Sequence, residues 1–246
     1  MIYRRGKKPA ENDPRNFRFR HLYRGRIGDS LVTDYDVDAL YPGTPLLTLC
    51  NAPDPNDPNA PLLGDCVEVG KLNWLMRATR IAGNPVVPAN ADAQANYLRE
   101  TDGGDDGLSL TASLKDFRKH GVVIGGQAYK IGGFAEVDWN DYAAITAAIT
   151  TPGMGILMGA VVDDEDEKNF DAGIPWSNAL YDDSGGGHCM WCGAFNEQGL
   201  RPETWGKIIQ IMQSWDTRID EMFVLWPVGH PAIDQDLHER LLRAVA

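Results

Sequence analysis

Leu63-Gly64-Asp65-Cys66-Val67-Glu68-Val69-Gly70 is the stretch on which the fold turns. A Gly-Asp pair ends an irregular, proline-studded segment, Asn51 to Pro61, and a cysteine follows at once. From Val67 to about Arg80, Val69, Leu72, Met76 and Thr79 recur at helical spacing with Leu75 beside them, which predicts a buried helix. Asp65 suits its N-cap and Cys66 its first position. A thiol there feels the positive end of the helix, which favours the thiolate and makes Cys66 a candidate nucleophile.

Outward from this helix the chain reads as one large domain with an arm. It has 246 residues, 43% of them hydrophobic, enough for a real core. The net charge of −12 is unevenly spread. Residues 1–26 carry nine Lys/Arg against Glu11 and Asp13, so this stretch is +7 and the remainder −19. An acidic body repels phosphate, which argues against nucleic acid as a partner. The basic arm lacks periodicity, cannot fold alone, and is expected to lie on a partner or on the acidic body. Within it Phe17-Arg18-Phe19-Arg20 alternates like an added edge strand. Met1-Ile-Tyr-Arg-Arg has no apolar signal core, no run approaches a membrane span, and four cysteines are too few for a disulfide scaffold. The expected setting is a reducing cytoplasm.

The domain is read as 27–246, with a loop-rich lead-in over 27–59 and a C-terminal helix within 228–246. Helices are predicted over Asp92–Glu100, Ser113–His120, Trp139–Ile149 and Leu237–Val245. Strands are predicted over Ala128–Val137, Met154–Val162, His188–Phe195, Lys207–Trp215 and Met222–Trp226. The run Asp163-Asp-Glu-Asp-Glu167 reads as a solvated loop. Helices first and antiparallel strands after give the α+β class.

A lone cysteine at a helix start and a histidine on a distant strand form a recognised nucleophile pattern, and His188, opened by Gly185-Gly-Gly187, is that histidine here. A metal reading of His188, Cys189 and Cys192 with Cys50 or Cys66 is disfavoured, because on a strand Cys189 and Cys192 point to opposite faces. No cofactor is expected.

Three blocks resemble papain-like cysteine peptidases, in order: Gly64-Asp65-Cys66 opening a long helix; Gly187-His188 leading through Cys-Met-Trp-Cys-Gly193-Ala-Phe195; and Gln213-Ser214-Trp215 followed by Met222-Phe223-Val224. The resemblance covers roughly residues 60–227. It implies a Cys-bearing helical lobe on an antiparallel sheet or barrel lobe. Cys66 would be nucleophile, His188 general base and Gln213 the amide that orients the ring, screened by Trp215. The family's oxyanion-hole glutamine, six residues before the cysteine, is replaced by Ala60, with Asn59 one residue off register. Losing one oxyanion donor costs on the order of 10²–10³ in rate. The chain also looks similar to phage-encoded papain-like proteins. The expectation drawn from these departures is an assembly component of a virion-like particle, anchored to other subunits by residues 1–26, with lapsed or weak catalysis. The alternative is an active cysteine peptidase or amidase that uses Cys66 and His188 on a peptide in the cleft.

Overall fold

The computed structural model describes residues 3–28, 32–42, 51–52, 54 and 62–245. In chain order these form α1 (Phe19–Leu22), β1 (Tyr35–Asp36), α2 (Val37–Leu40), α3 (Cys66–Ile81), α4 (Asn90–Glu100) and α5 (Leu110–Lys119). Then come β2 (Val122–Ile124), β3 (Gln127–Tyr129), β4 (Gly133–Glu136), α6 (Tyr142–Thr150), β5 (Gly155–Val162) and α7 (Asp164–Ala172). Last are β6 (Gly186–Asn196), β7 (Gly199–Thr204), β8 (Lys207–Ile208), a 3-10 turn over Gln213–Arg218, β9 (Ile219–Trp226) and α8 (Gln235–Val245). The architecture is α+β.

The main sheet is antiparallel, in the order β4-β9-β5-β6-β7-β8, with β1 added to β6. Side chains alternate between its two faces. Leu157, Cys189, Trp191, Phe223 and Leu225 face α3 and share a core with Cys66, Leu72, Trp74 and Met76. Met158, Met190, Cys192, Met222 and Val224 form a second core with Phe170 and Trp176, Trp205 and Trp215. Cys189 and Cys192 thus lie on opposite faces, as strand alternation requires.

Helix α3 is buried without a break from Cys66 to Ala78. It comes close to the sheet at Gly70, where a Cβ would stand 2.6 Å from Leu157 Cδ2. Its buried charges are paired. Lys71 Nζ lies 2.5 Å from both Glu68 and Glu100, and Arg77 bonds Glu203 of β7 and, at 2.9 Å, Asp38 of α2. Such pairs are costly to break singly, so they fix the helix against its neighbours.

Several local expectations are corrected. Asp65 precedes the helix, but its carboxylate accepts from Ala52 N–H at 3.0 Å and makes no cap bond. The acidic run 163–167 is no loop: Asp163 caps α7, accepting from the N–H groups of Glu165 and Asp166, and the next four carboxylates fill the helix's positive first turn. Asp163 and Asp166 are buried against Arg218, at 2.5 and 2.6 Å. The strand expected over 128–137 breaks into β3 and β4. The strand expected over 207–215 stops at Ile208, and Gln213 to Arg218 turn as a 3-10 helix in which Trp215 Nε1 donates to Asp166 Oδ1 at 3.1 Å.

The arm lies on its own chain's acidic body. Arg18 reaches Glu136 at 2.5 Å, Arg20 reaches Asp141, and Arg24 reaches Asp234 at 3.2 Å. The edge-strand expectation for 17–20 shrinks to one bridge, Arg18 with Glu136, before the chain turns into α1. Burial and charge together explain this placement: Tyr3, Phe19 and Leu22 enter the second core, and the cations around them meet the body's carboxylates at the surface.

Candidate active site

Cys66 opens α3 with 2% of its surface exposed. The backbone N–H groups of Gly6 in the arm and of Cys189 in β6 lie near enough to act on its sulfur electrostatically. These N–H groups and the charge of Lys7 favour the thiolate, yet burial outweighs them and pushes the thiol up to about 11. The lowered thiol expected from the helix position is therefore not the resting state: desolvation exceeds the dipole.

His188 follows three glycines into β6 and is fully buried. Its Nε2 pairs with Thr204 Oγ1 at 2.5 Å, and its ring stacks on Trp205 with centroids 4.4 Å apart. Nδ1 is buried with no hydrogen-bond partner. Burial, then the charge of Arg5, brings the imidazole down to about 3. Along β6 His188 immediately precedes Cys189, whose backbone favours the Cys66 thiolate, while the His188 ring packs on Trp205 of the second core.

Gln213 does not orient this ring. It begins the 3-10 turn, its N–H donates to Gln198 O at 3.3 Å, and its side chain lines a separate cavity of about 400 Å³ with Tyr142, Phe195 and Asn196. Thr204 makes the hydrogen bond expected of Gln213, and Trp205 covers the ring as Trp215 was expected to do. The sequence held this signal. Glu203-Thr204-Trp205 has the same polar-hydroxyl-Trp order as Gln213-Ser214-Trp215, and it ends the strand paired with β6. Ala60, Asn59 and Cys50 lie outside the described residues. Cys66, Cys189 and Cys192 are free thiols, and among the described residues no group of three His, Cys, Asp or Glu could hold a metal ion. Among the same residues no helix is long and apolar enough to cross a membrane.

Residues 3–8 run across this site and bond to both of its walls. Tyr3 stacks on Trp205 at 4.3 Å and donates to Asp171 Oδ1 at 2.5 Å. Arg5 bonds Glu167 and Asp164, both at 2.9 Å, and the Ser184 carbonyl. Leu108 N–H donates to Gly6 O at 2.8 Å, Lys7 N–H to Gly187 O at 3.1 Å, and Lys8 N–H to Leu108 O at 2.9 Å. Lys7 Nζ, with its side chain wholly buried, reaches Asp220 at 2.9 Å and Glu221 at 3.0 Å. The segment thus fills the seam where α3 and the 105–108 loop meet the sheet, directly over Cys66.

Comparison with solved structures gives the same fold. Xylellain, a cysteine protease from Xylella fastidiosa, superposes with a TM-score of 0.67 at 15% identity, over 93% of this chain and 99% of that one. A Carica candamarcensis cysteine protease solved with E-64 gives 0.58 at 13% identity, over 80% and 99%. A procathepsin B from Trypanosoma congolense gives 0.56 at 10%, over 88% and 85%. No protein-family model matches the chain, and no curated protein matches it by sequence. The fold is that of papain-like cysteine proteases.

Proposed function

We propose that the chain is a papain-like cysteine peptidase or amidase with Cys66 as nucleophile and His188 as general base, held at rest by residues 3–8. One observation carries this reading. A buried imidazole, oriented through Nε2 by Thr204, keeps Nδ1 without a hydrogen bond, and the backbone of Cys189, next along the strand, favours the Cys66 thiolate. A ring held by one nitrogen and free at the other suits general-base work on a neighbouring thiol.

In this mechanism Nδ1 takes the thiol proton and Sγ attacks the scissile carbonyl carbon. Orphan N–H groups at the start of α3 stabilise the oxyanion. As the C–N bond breaks, His188 returns the proton to the leaving amine. Water, deprotonated by the same ring, then hydrolyses the thioester and restores the thiol. With the arm bound, burial holds the thiol up near 11 and the imidazole down near 3, so both groups rest in their neutral forms. Solvent reaching both groups would bring them toward their ordinary values, a gap of roughly 2–3 pH units. The arm therefore acts as the off switch in this reading.

The anchored, catalytically lapsed component expected from the sequence needs the arm free for another subunit. Residues 3–8 are spent on their own chain, and that leaves the peptidase reading ahead. The test is hydrolysis of a quenched-fluorescent peptide library by the full chain after arm displacement by Gly6→Leu. Turnover that disappears in both Cys66→Ser and His188→Ala supports the assignment. Turnover that survives Cys66→Ser refutes it.

A further inference from the structure

We propose that the groove, once the arm leaves it, selects peptides that carry glycine against Cys66 with a basic residue on each side. This rests on the peptidase reading and adds its substrate class. Gly6 sits where no side chain fits: a Cβ there would lie 1.6 Å from Gly64 O and 2.1 Å from Gly64 C. Gly107 closes the other side, since a Cβ on it would come within 2.0 Å of Gly6 O. These walls are backbone, so they cannot swing away as a flexible side chain would.

The flanking positions are built for cations. On one side Arg5 enters between Glu167, Asp164 and the Ser184 carbonyl. On the other, the Lys7 stem lies over β5, where a Cβ on Gly159 would stand 2.1 Å from Lys7 Cε. Its ammonium ends at Asp220 and Glu221. Gly187 leaves room for the Lys7 carbonyl, 2.2 Å from where a Cβ would be. Neither Gly159 nor Gly187 has the positive φ that would require glycine. Glycine inside a central strand weakens the strand and marks close approach by another chain. Both glycines therefore read as the floor of a channel for a long, unbranched cationic side chain.

The arm itself is not presented for cutting. Gly6 O is turned to Leu108 N–H, and the Gly6 backbone N–H favours the Cys66 thiolate rather than offering it a carbonyl. Attack needs approach to the face of a carbonyl carbon. A substrate running in either direction would still meet a basic residue, glycine and a basic residue in turn.

The experiment uses the full chain carrying Arg5→Glu and Lys7→Glu, which sets carboxylates against carboxylates and expels the arm. Gly6→Leu offers an uncharged second route should that chain fold poorly. Binding is read with Cys66→Ser added, by fluorescence anisotropy of labelled Tyr-Arg-Arg-Gly-Lys-Lys and of peptides with Glu for the flanking bases or Leu for glycine. The expected result is at least about 100-fold tighter binding of the basic glycine peptide, lost with Asp220→Asn/Glu221→Gln. Equal affinities, or no binding of any peptide, overturn the proposal. Cleavage by the chain that keeps Cys66 separates the two claims. Cleavage without preference sinks the specificity alone, and preferential binding without cleavage sinks the peptidase reading alone.

Discussion

Replacing Lys7 with alanine should open the site without unfolding the protein. The Lys7 ammonium is the arm's deepest anchor, wholly buried between Asp220 at 2.9 Å and Glu221 at 3.0 Å. Removing one partner of a buried ion pair costs about 3–5 kcal/mol, because the remaining charge is left without compensation. Asp220 is 29% exposed, so water recovers part of that loss and the lower end applies. About 3 kcal/mol multiplies the population of the open arm by roughly 10². If opening and closing are fast relative to alkylation, the iodoacetamide reaction at Cys66 scales with that population and rises by the same factor. Mass-spectrometric mapping supplies an internal control. Cys192 lies on the opposite face of β6 in the other core, its sulfur 3.3 Å from Ala194 O, and reports global opening. Cys66 should accelerate about 10²-fold while Cys192 stays at its wild-type rate. An unchanged Cys66 rate would refute the anchoring role, and equal acceleration at both sites would mean that Lys7 stabilises the whole fold.

Other outcomes follow from the same contacts. Thr204→Val leaves His188 Nε2 buried and unbonded, so in an arm-displaced chain kcat should fall roughly 10²-fold or more with KM little changed, whereas Gln213→Ala should leave kcat within about twofold; steady-state kinetics on one peptide distinguishes them. The imidazole's value of about 3 sits below its ordinary 6.5, so between those values the folded protein holds fewer protons at His188 than the unfolded chain. Stability from this residue is complete above pH 6.5 and is lost as pH falls toward 3, by up to about 1.4 kcal/mol per unit. Thermal melts of His188→Gln should show a shallower acid decline than wild type. Arg218→Ala strands Asp163 and Asp166 in the second core and should cost about 3–5 kcal/mol in urea unfolding, with Asp166→Asn in the same chain recovering part of it.

The cysteine-bearing helix was legible because its signals are local. A Gly-Asp stop, a cysteine and a run of apolar residues at period 3.6 are all contained within residues 63–81, and α3 begins at Cys66 as they require. The central strands were legible for the same reason: Met154 to Val162 and His188 to Phe195 are apolar runs of strand length bounded by glycine. Charge was harder, because its meaning depends on distant partners. Asp163 to Glu167 looks like a solvated run until Arg218, more than fifty residues later, turns two of its members inward against Trp215. Lys71, Arg77 and Lys7 are hydrophilic by composition and buried in fact, each fixed by carboxylates from another element.

The orienting residue shows why ordered motifs alone can mislead. Glu203-Thr204-Trp205 and Gln213-Ser214-Trp215 carry the same pattern ten positions apart, and only pairing decides between them. Trp191 of β6 pairs with Glu203 of β7, which brings Thr204 and Trp205 to the end of the strand where His188 stands. Gln213 lies beyond β8, after the chain has left the sheet. The arm follows the same logic at larger scale. Seven net positive charges on a segment without a core of its own demand an acidic partner, and composition cannot say which one. The glycines can, when read together with the sheet register. Gly159 and Gly187 lie on the adjacent paired strands β5 and β6, and both lack side chains where Lys7 passes. A sheet that gives up side chains at two positions of adjacent strands is shaped around what crosses it, so the arm's site was written into β5 and β6 as much as into the arm's own charge.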